Sequence, residues 1–237
     1  GLNFVGPEGA SMSLMGDKAR AITTAQEFNV PVVPGSGGTV SSAAVAKELA
    51  PGIGYPMMIK AAHGGGGKGI EVVYADHELA DSFIRLAAEA RAAFGNGDLY
   101  LEKFITRIKH IEVQVLRDSH GNCKLLGLRD CSVQRNKQKL VEESDSIDLP
   151  QRLREQAYEY SRLLSDGINY VGAGTVEFIY DLDAQEIYFM EMNTRLQVEH
   201  PVTESTAQVD IVGNQFRIAA GESIANLEIA DKGFAIE

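Results

Sequence analysis

Residues 63–69, His63-Gly64-Gly65-Gly66-Gly67-Lys68-Gly69, lie between two strand-like runs, Met57-Met58-Ile59-Lys60 and Ile70-Glu71-Val72-Val73. A strand, a glycine-saturated tip with a lysine and a returning strand describe a loop whose bare backbone can close over phosphates with its N–H groups pointing at them. A nucleotide-binding lid is therefore expected. The loop is not a P-loop: that pattern needs Gly where Ala62 sits, Ser or Thr where Gly69 sits, and a helix after it. Taken alone, the glycine run also fits a flexible connection.

Elsewhere the chain alternates helical and strand patterns. Helices are predicted near residues 15–28, 76–94 (with Asp76 as cap), 150–166 and 205–220. Strands are predicted at 57–60, 70–74, 99–105, 110–117, 123–129, 174–180 and 187–193, several joined by short polar turns such as Asp118-Ser119-His120-Gly121-Asn122. Such hairpins point to antiparallel sheet with helices on one side, an α+β layout. The punctuation Val30-Pro31-Val32-Val33-Pro34-Gly35 sets off a lid subdomain at 33–104, preceded by a connecting segment at 1–32 and followed by a larger subdomain at 105–237.

With 237 residues, 44% of them hydrophobic, the chain can bury a sizeable core. It has no apolar stretch near the roughly 20 residues that span a bilayer and no secretory-signal plan at its start, so no membrane association and a cytoplasmic or organelle-matrix location are expected. A net charge of -11 argues against broad nucleic-acid binding. Any anionic ligand must be held by local cations and metal, for which Lys18, Lys60, Lys68 and Lys103 are suited. Cys123 and Cys131 have neither metal-site nor disulfide-framework spacing and read as free thiols.

Period-two alternation in Tyr188-Phe189-Met190-Glu191-Met192-Asn193 directs Glu191 and Asn193 to one face, Met190 and Met192 to the other. Glu177 lies on the preceding strand, and an odd-length hairpin loop centred on Ala184 would set it opposite Glu191. Two carboxylates and an amide then converge, as Mg²⁺ requires; the same spacing also fits exposed partners of nearby cations. Just beyond, Arg195 offers a planar fork for an oxyanion, Gln197 a hydrogen bond and Glu199 a proton-accepting carboxylate. A plain polar loop, with His200 held before Pro201, fits those residues too.

Taken as one set, these runs resemble the biotin carboxylase family of the ATP-grasp superfamily. The resemblance is carried by Phe4-Val5-Gly6-Pro7, Met15-Gly16-Asp17-Lys18, Ile59-Lys60-Ala61, Leu101-Glu102-Lys103-Phe104-Ile105, His110-Ile111-Glu112-Val113-Gln114, Arg129-Asp130-Cys131-Ser132-Val133-Gln134-Arg135, Gln138-Lys139-Leu140-Val141-Glu142-Glu143, Gly172-Ala173-Gly174-Thr175-Val176-Glu177-Phe178 and the run from Glu191 to Glu204. The last is the most specific.

The resemblance implies an ATP-grasp fold and ATP-dependent carboxylation of biotin by bicarbonate. Lys18 and Lys60 would contact ATP phosphates, with Gly64, Gly65, Gly66, Gly67 and Gly69 closing above them. Glu102 and the chain at Lys103 and Ile105 would recognise adenine; His110, Gln134 and Lys137 would address the ribose. Glu177, Glu191 and Asn193 would hold Mg²⁺ or Mn²⁺. Lys139, Arg195, Gln197 and the Val198 backbone would seat bicarbonate for Glu199 to deprotonate. Attack on the γ-phosphate would give carboxyphosphate, the source of CO₂ for biotin. Implied partners are a biotin carboxyl carrier domain and a carboxyltransferase component, which selects the acyl-CoA or keto acid finally carboxylated; a homodimer is the assembly implied for the full-length enzyme. Lys137, Asn136, His63 and Phe234 depart from common family residues, the first at the ribose contact. Family members also continue beyond both ends of this chain, with a biotin-assisting arginine past Glu237, so a core excised from a longer carboxylase, or a naturally short relative, is expected. Alternatives are another ATP-grasp ligase working through an acylphosphate, or a nucleotide-binding fragment without turnover.

Overall fold

The computed structural model describes residues 2–62, 69–136, 138–144, 149–230 and 232–237. The expectations for His63, Gly64, Gly65, Gly66, Gly67, Lys68 and Lys137 fall outside them. The chain divides into two compact units, Gly1–Val32 with Arg107–Glu237, and Val33–Thr106.

The first unit opens with α1 (Gly9–Gly16) and α2 (Lys18–Glu27), where a single helix over 15–28 was expected. Asp17 makes the break: its extended backbone ends α1, and its carboxylate accepts from the Arg20 amide at 3.0 Å, capping α2.

Val33–Thr106 contains α3 (Ala43–Ile53), β1 (Met57–Ala61), β2 (Ile70–Val73), α4 (Asp76–Phe94) and β3 (Leu99–Lys103). The strands form an antiparallel sheet ordered β2-β1-β3. Alternation works as physics demands in β1: Met57, Ile59 and Ala61 are buried while Met58 and Lys60 face away. The buried set packs on Leu79, Phe83, Leu86 and Ala90 of α4 and on Ala46, Ala50 and Ile53 of α3. Each fully buried Leu or Phe among them contributes about 1.5–3 kcal/mol. The sequence reading missed α3, whose Pro51-Gly52 pair mimics a loop; its buried spacing and the Ser42 cap, accepting from the Val45 amide at 3.3 Å, were the available signals. Asp76 is the first residue of α4 rather than its cap, which is Ala75.

The rest of the first unit comprises β4 (Ile108–Arg117), β5 (Cys123–Arg135), β6 (Gln138–Ser144), α5 (Gln151–Gly167), β7 (Gly172–Asp181), β8 (Glu186–Asn193), α6 (His200–Ala207), α7 (Ile211–Ala219) and β9 (Ala235–Ile236). The helix predicted over 205–220 is thus two, interrupted at Gln208, which adopts φ +55°. Six antiparallel strands run in the order β8-β7-β4-β5-β6-β9. The β4–β5 hairpin is closed by Asp118, which accepts from the amides of His120 and Asn122 at 2.9 Å each. Leu153, Ala157 and Leu164 of α5 cover one sheet face, meeting Ile111, Val113, Val115, Val176 and Phe178. Successive residues point to opposite faces, so Glu112 and Gln114 project from the other side of β4. Among the described residues, no helix is long and apolar enough to cross a membrane.

Candidate functional site

The sheet register sets polar side chains in a row. Glu191 pairs with Glu177, Glu177 with Glu112, and Glu112 with Arg129, one residue from each of β8, β7, β4 and β5. The neighbouring row carries Asn193, Thr175 and Gln114. Cross-strand neighbours stand about 4.5–5.5 Å apart at Cβ, so three adjacent carboxylates repel unless cations intervene.

Glu177 and Glu191 are opposite each other by a different route from the one the sequence suggested. Asp181 pairs with Glu186, leaving an even-length turn over 182–185, and Phe178 then pairs with Phe189. Met190 is the extra residue of a β-bulge that shifts the register by one and brings Glu191 to Glu177. The bulge also breaks strict alternation: Phe189 and Met192 enter the core together, and Met190 stays partly exposed.

Lys139, reaching over from β6, supplies the missing charge. Its ammonium donates to Glu112 Oε2 at 2.5 Å, Glu199 Oε1 at 2.7 Å and Glu177 Oε1 at 3.1 Å. Glu177 is saturated: besides Lys139 it accepts from His110 Nε2 at 2.7 Å, Asn193 Nδ2 at 2.6 Å and Gln197 Nε2 at 2.9 Å. His110 Nδ1 in turn meets the Gln134 amide at 2.7 Å, which leaves the ring proton on Nε2 facing Glu177. Both ring nitrogens of the residue expected at the ribose are thus engaged within the protein.

Burial pushes the Glu177 carboxyl up, but the His110 hydrogen bond together with the hydrogen bond and charge of Lys139 outweigh it and hold the group down at about 2. Glu199 follows the same logic: burial raises it, the Lys139 hydrogen bond lowers it more, and it stays below the usual carboxylate range. For Lys139, burial disfavours the charge, yet Glu112 and Glu177 raise it above its ordinary value. A group depressed in the folded state contributes stability that is present above its unfolded pKa and lost as pH falls through the folded value. The urea midpoint is therefore expected to fall between about pH 4.5 and about 2, the unfolded and folded values for Glu177. Glu177→Gln should make that fall shallower; an unchanged slope would show that Glu177 does not titrate in this window.

Other expected residues sit as follows. Lys18 lies 3.7 Å from Glu191. Gln197 and Glu199 are buried, whereas Arg195 and Val198 are exposed; Arg195 donates to the Leu196 carbonyl at 3.2 Å. In the second unit Lys60 pairs with Glu102 and lies 5.9 Å from the centre of the Tyr100 ring. Lys103 gives its backbone N–H to the Pro34 carbonyl at 2.7 Å, Ile105 is half-buried, and Gly69 adopts φ +75°, tight against Ala61. Glu112, Arg129 and Gln114 were not singled out from sequence, although polar residues at alternate positions of an apolar strand were visible in Ile111-Glu112-Val113-Gln114-Val115.

The donors proposed for a divalent metal are hard oxygens, which suits Mg²⁺. Glu191 is partly open to solvent. Asn193 would have to present Oδ1 rather than the Nδ2 that now faces Glu177.

These two antiparallel units have the ATP-grasp fold. The chain belongs to the family of the carbamoyl-phosphate synthase L chain ATP-binding domain, whose model matches residues 17–227. It is 49% identical over 99% of its length to a biotin carboxylase of Nostoc sp., covering 53% of that protein. It is 46% identical over 97% of its length to a pyruvate carboxylase of Staphylococcus aureus, covering 20% of it. The solved biotin carboxylase–β-γ-ATP complex from Campylobacter jejuni superimposes with a TM-score of 0.89 at 44% identity, over 99% of this chain and 53% of that one. The biotin carboxylase domain dimer of Hydrogenobacter thermophilus 2-oxoglutarate carboxylase, solved with MgADP, ADP and bicarbonate, gives 0.88 at 47% identity, over 100% of this chain and 52% of that one. The chain spans about half the length of the biotin carboxylases it matches.

Proposed function

We propose that this chain is the ATP-grasp core of a biotin carboxylase, carboxylating biotin with bicarbonate at the expense of ATP. The observation that carries this reading is the Lys139 ammonium shared by Glu112, Glu177 and Glu199, with Gln197 bonded to Glu177 beside it. Such a cluster joins a metal-ligand strand to an anion pocket and a base within one sheet face.

In this reading residues 33–104 form the lid and 105–237 carry the metal and bicarbonate site. Lys139 and Arg195 supply cations for bicarbonate, and Gln197 and the Val198 backbone orient it. Glu199, kept ionised, takes its proton; a depressed pKa guarantees the base form at neutral pH at the expense of proton-transfer driving force. The deprotonated oxygen attacks the γ-phosphorus, ADP departs, and carboxyphosphate decomposes to phosphate and the CO₂ that biotin captures. Bound Mg²⁺ held by Glu177, Glu191 and Asn193 would neutralise charge on the transferred phosphoryl group. His110 serves here by positioning Glu177 rather than as a free donor to the ribose. Partners are a biotin carboxyl carrier domain and a carboxyltransferase, and the Hydrogenobacter dimer makes a homodimer the assembly to test.

The test is phosphate release from ATP, with and without bicarbonate and free biotin, by this chain and by a version extended to its relatives' length. Bicarbonate-dependent turnover stimulated by biotin is expected in the extended form. The family's carbamoyl-phosphate synthase member favours one rival. Turnover that needs ammonia and ignores biotin would decide for it, and nucleotide binding without turnover would leave an assembly role.

A further inference from the structure

Beneath the proposed bicarbonate residues lies a guanidinium to which the mechanism above gives no task. Arg129 is wholly buried. All five of its N–H groups have acceptors: Nε donates to Glu112 Oε1 at 2.6 Å, Nη1 to Gln114 Oε1 at 2.8 Å and Thr203 Oγ1 at 2.7 Å, and Nη2 to Gln197 Oε1 at 3.0 Å and Thr175 Oγ1 at 3.4 Å.

One consequence follows for Gln197. Its carbonyl end is claimed by a cation, so its amide end must face the Glu177 carboxylate, where Nε2 indeed lies 2.9 Å away. The opposite amide orientation would set N–H against guanidinium and carbonyl against carboxylate, a double mismatch in a dry site. Charge matters as well. Glu112, Glu177 and Glu199 share the single Lys139 ammonium, and Arg129 adds a second cation by bonding Glu112 on its other oxygen. An anion approaching the cluster meets less repulsion for it.

We infer that Arg129 is a positioning residue for the anion pocket: it fixes which end of the Gln197 carboxamide is presented and, through Glu112, holds the Lys139 ammonium in place. The inference rests on the biotin carboxylase reading. A lysine cannot reproduce it, because its three N–H donors lack the planar fork that serves five acceptors.

The experiment measures steady-state kinetics of the chain extended to its relatives' length, varying bicarbonate and ATP separately. Arg129→Lys is expected to raise the bicarbonate KM about tenfold or more while the ATP KM stays within about twofold. In the double variant with Gln197→Ala, Arg129→Lys should worsen the bicarbonate KM by clearly less than it does in the unaltered chain, since the Gln197 contact is already lost and only the route through Glu112 to Lys139 remains. A bicarbonate KM unchanged in Arg129→Lys, a parallel rise in both KM values, or fully independent effects in the double variant would overturn the inference and leave Arg129 a structural residue. If Arg129→Lys does not fold, Thr203→Val removes one acceptor of the same guanidinium and leaves the proposed substrate contacts alone. A selective rise of the bicarbonate KM by about twofold or more is then expected, and no rise overturns the inference. Absence of bicarbonate dependence in the unaltered enzyme would instead overturn the underlying reading, and this one with it.

Discussion

Glutamine in place of Glu199 is expected to lower bicarbonate-dependent turnover of the extended chain by about 10²–10⁴-fold, the range a positioned general base contributes, with ATP affinity within about twofold. The substitution keeps shape and volume. The new carbonyl oxygen can still accept from the Lys139 ammonium, which lies 2.7 Å from Glu199 Oε1, so the local packing is preserved. What disappears is a group able to take a proton from bicarbonate. Glu199 is 6% exposed, and solvent water is poorly placed to replace it as base. Nucleotide titration beside steady-state rates separates the outcomes: equal loss of ATP affinity and turnover would assign Glu199 a nucleotide or folding role.

That experiment was conceivable from sequence because Glu199 sits in a run whose residue types carry chemistry on their own. Other parts were legible for simpler reasons. Period-two burial in β1 and the apolar stripe of α4 follow from side chains that must leave water, and they appear at the expected positions. Less legible was β6, since Gln138-Lys139-Leu140-Val141-Glu142-Glu143-Ser144 has little apolar alternation. It is a strand because it pairs with β5, a non-local cause that local pattern cannot reveal. The Met190 bulge is similar. Sequence spacing suggested the right partner for Glu177 through the wrong loop length, because an inserted residue and a shorter turn cancel in the count. The buried Arg129 network was hidden for another reason: a charged residue in a strand reads as solvent-facing, and only the assembled sheet shows that five acceptors surround it.

Lys139→Met tests the electrostatic core of the site most severely. Methionine keeps the length and apolar stem of lysine but removes the ammonium bonded to Glu112, Glu177 and Glu199. Breaking a buried ion pair by deleting one partner typically destabilises by about 3–5 kcal/mol, because the remaining charge stays desolvated. Here three carboxylates lose a contact at once, although Arg129 still holds Glu112 and His110 still holds Glu177, so Glu199 bears most of the loss. For a chain of this size the expected fall in Tm is about 6–20 °C at about 2–4 °C per kcal/mol. The contribution of Glu199 to the pH dependence should reverse in sign. In the unaltered protein the depressed carboxylates contribute stability at neutral pH that is lost only on acidification below the ordinary range. Without the ammonium, Glu199 keeps its burial but loses the hydrogen bond that lowered it, so its pKa rises and protonation relieves part of the deficit as pH falls, while Glu177 keeps its bond from His110. The urea midpoint of Lys139→Met should therefore lie below that of the unaltered chain at pH 7 and by a smaller margin at pH 5, which is still above the acid window of the unaltered chain. A loss under about 1 kcal/mol at pH 7, or a deficit independent of pH, would mean that solvent reaches these carboxylates and that Lys139 does not hold the cluster together.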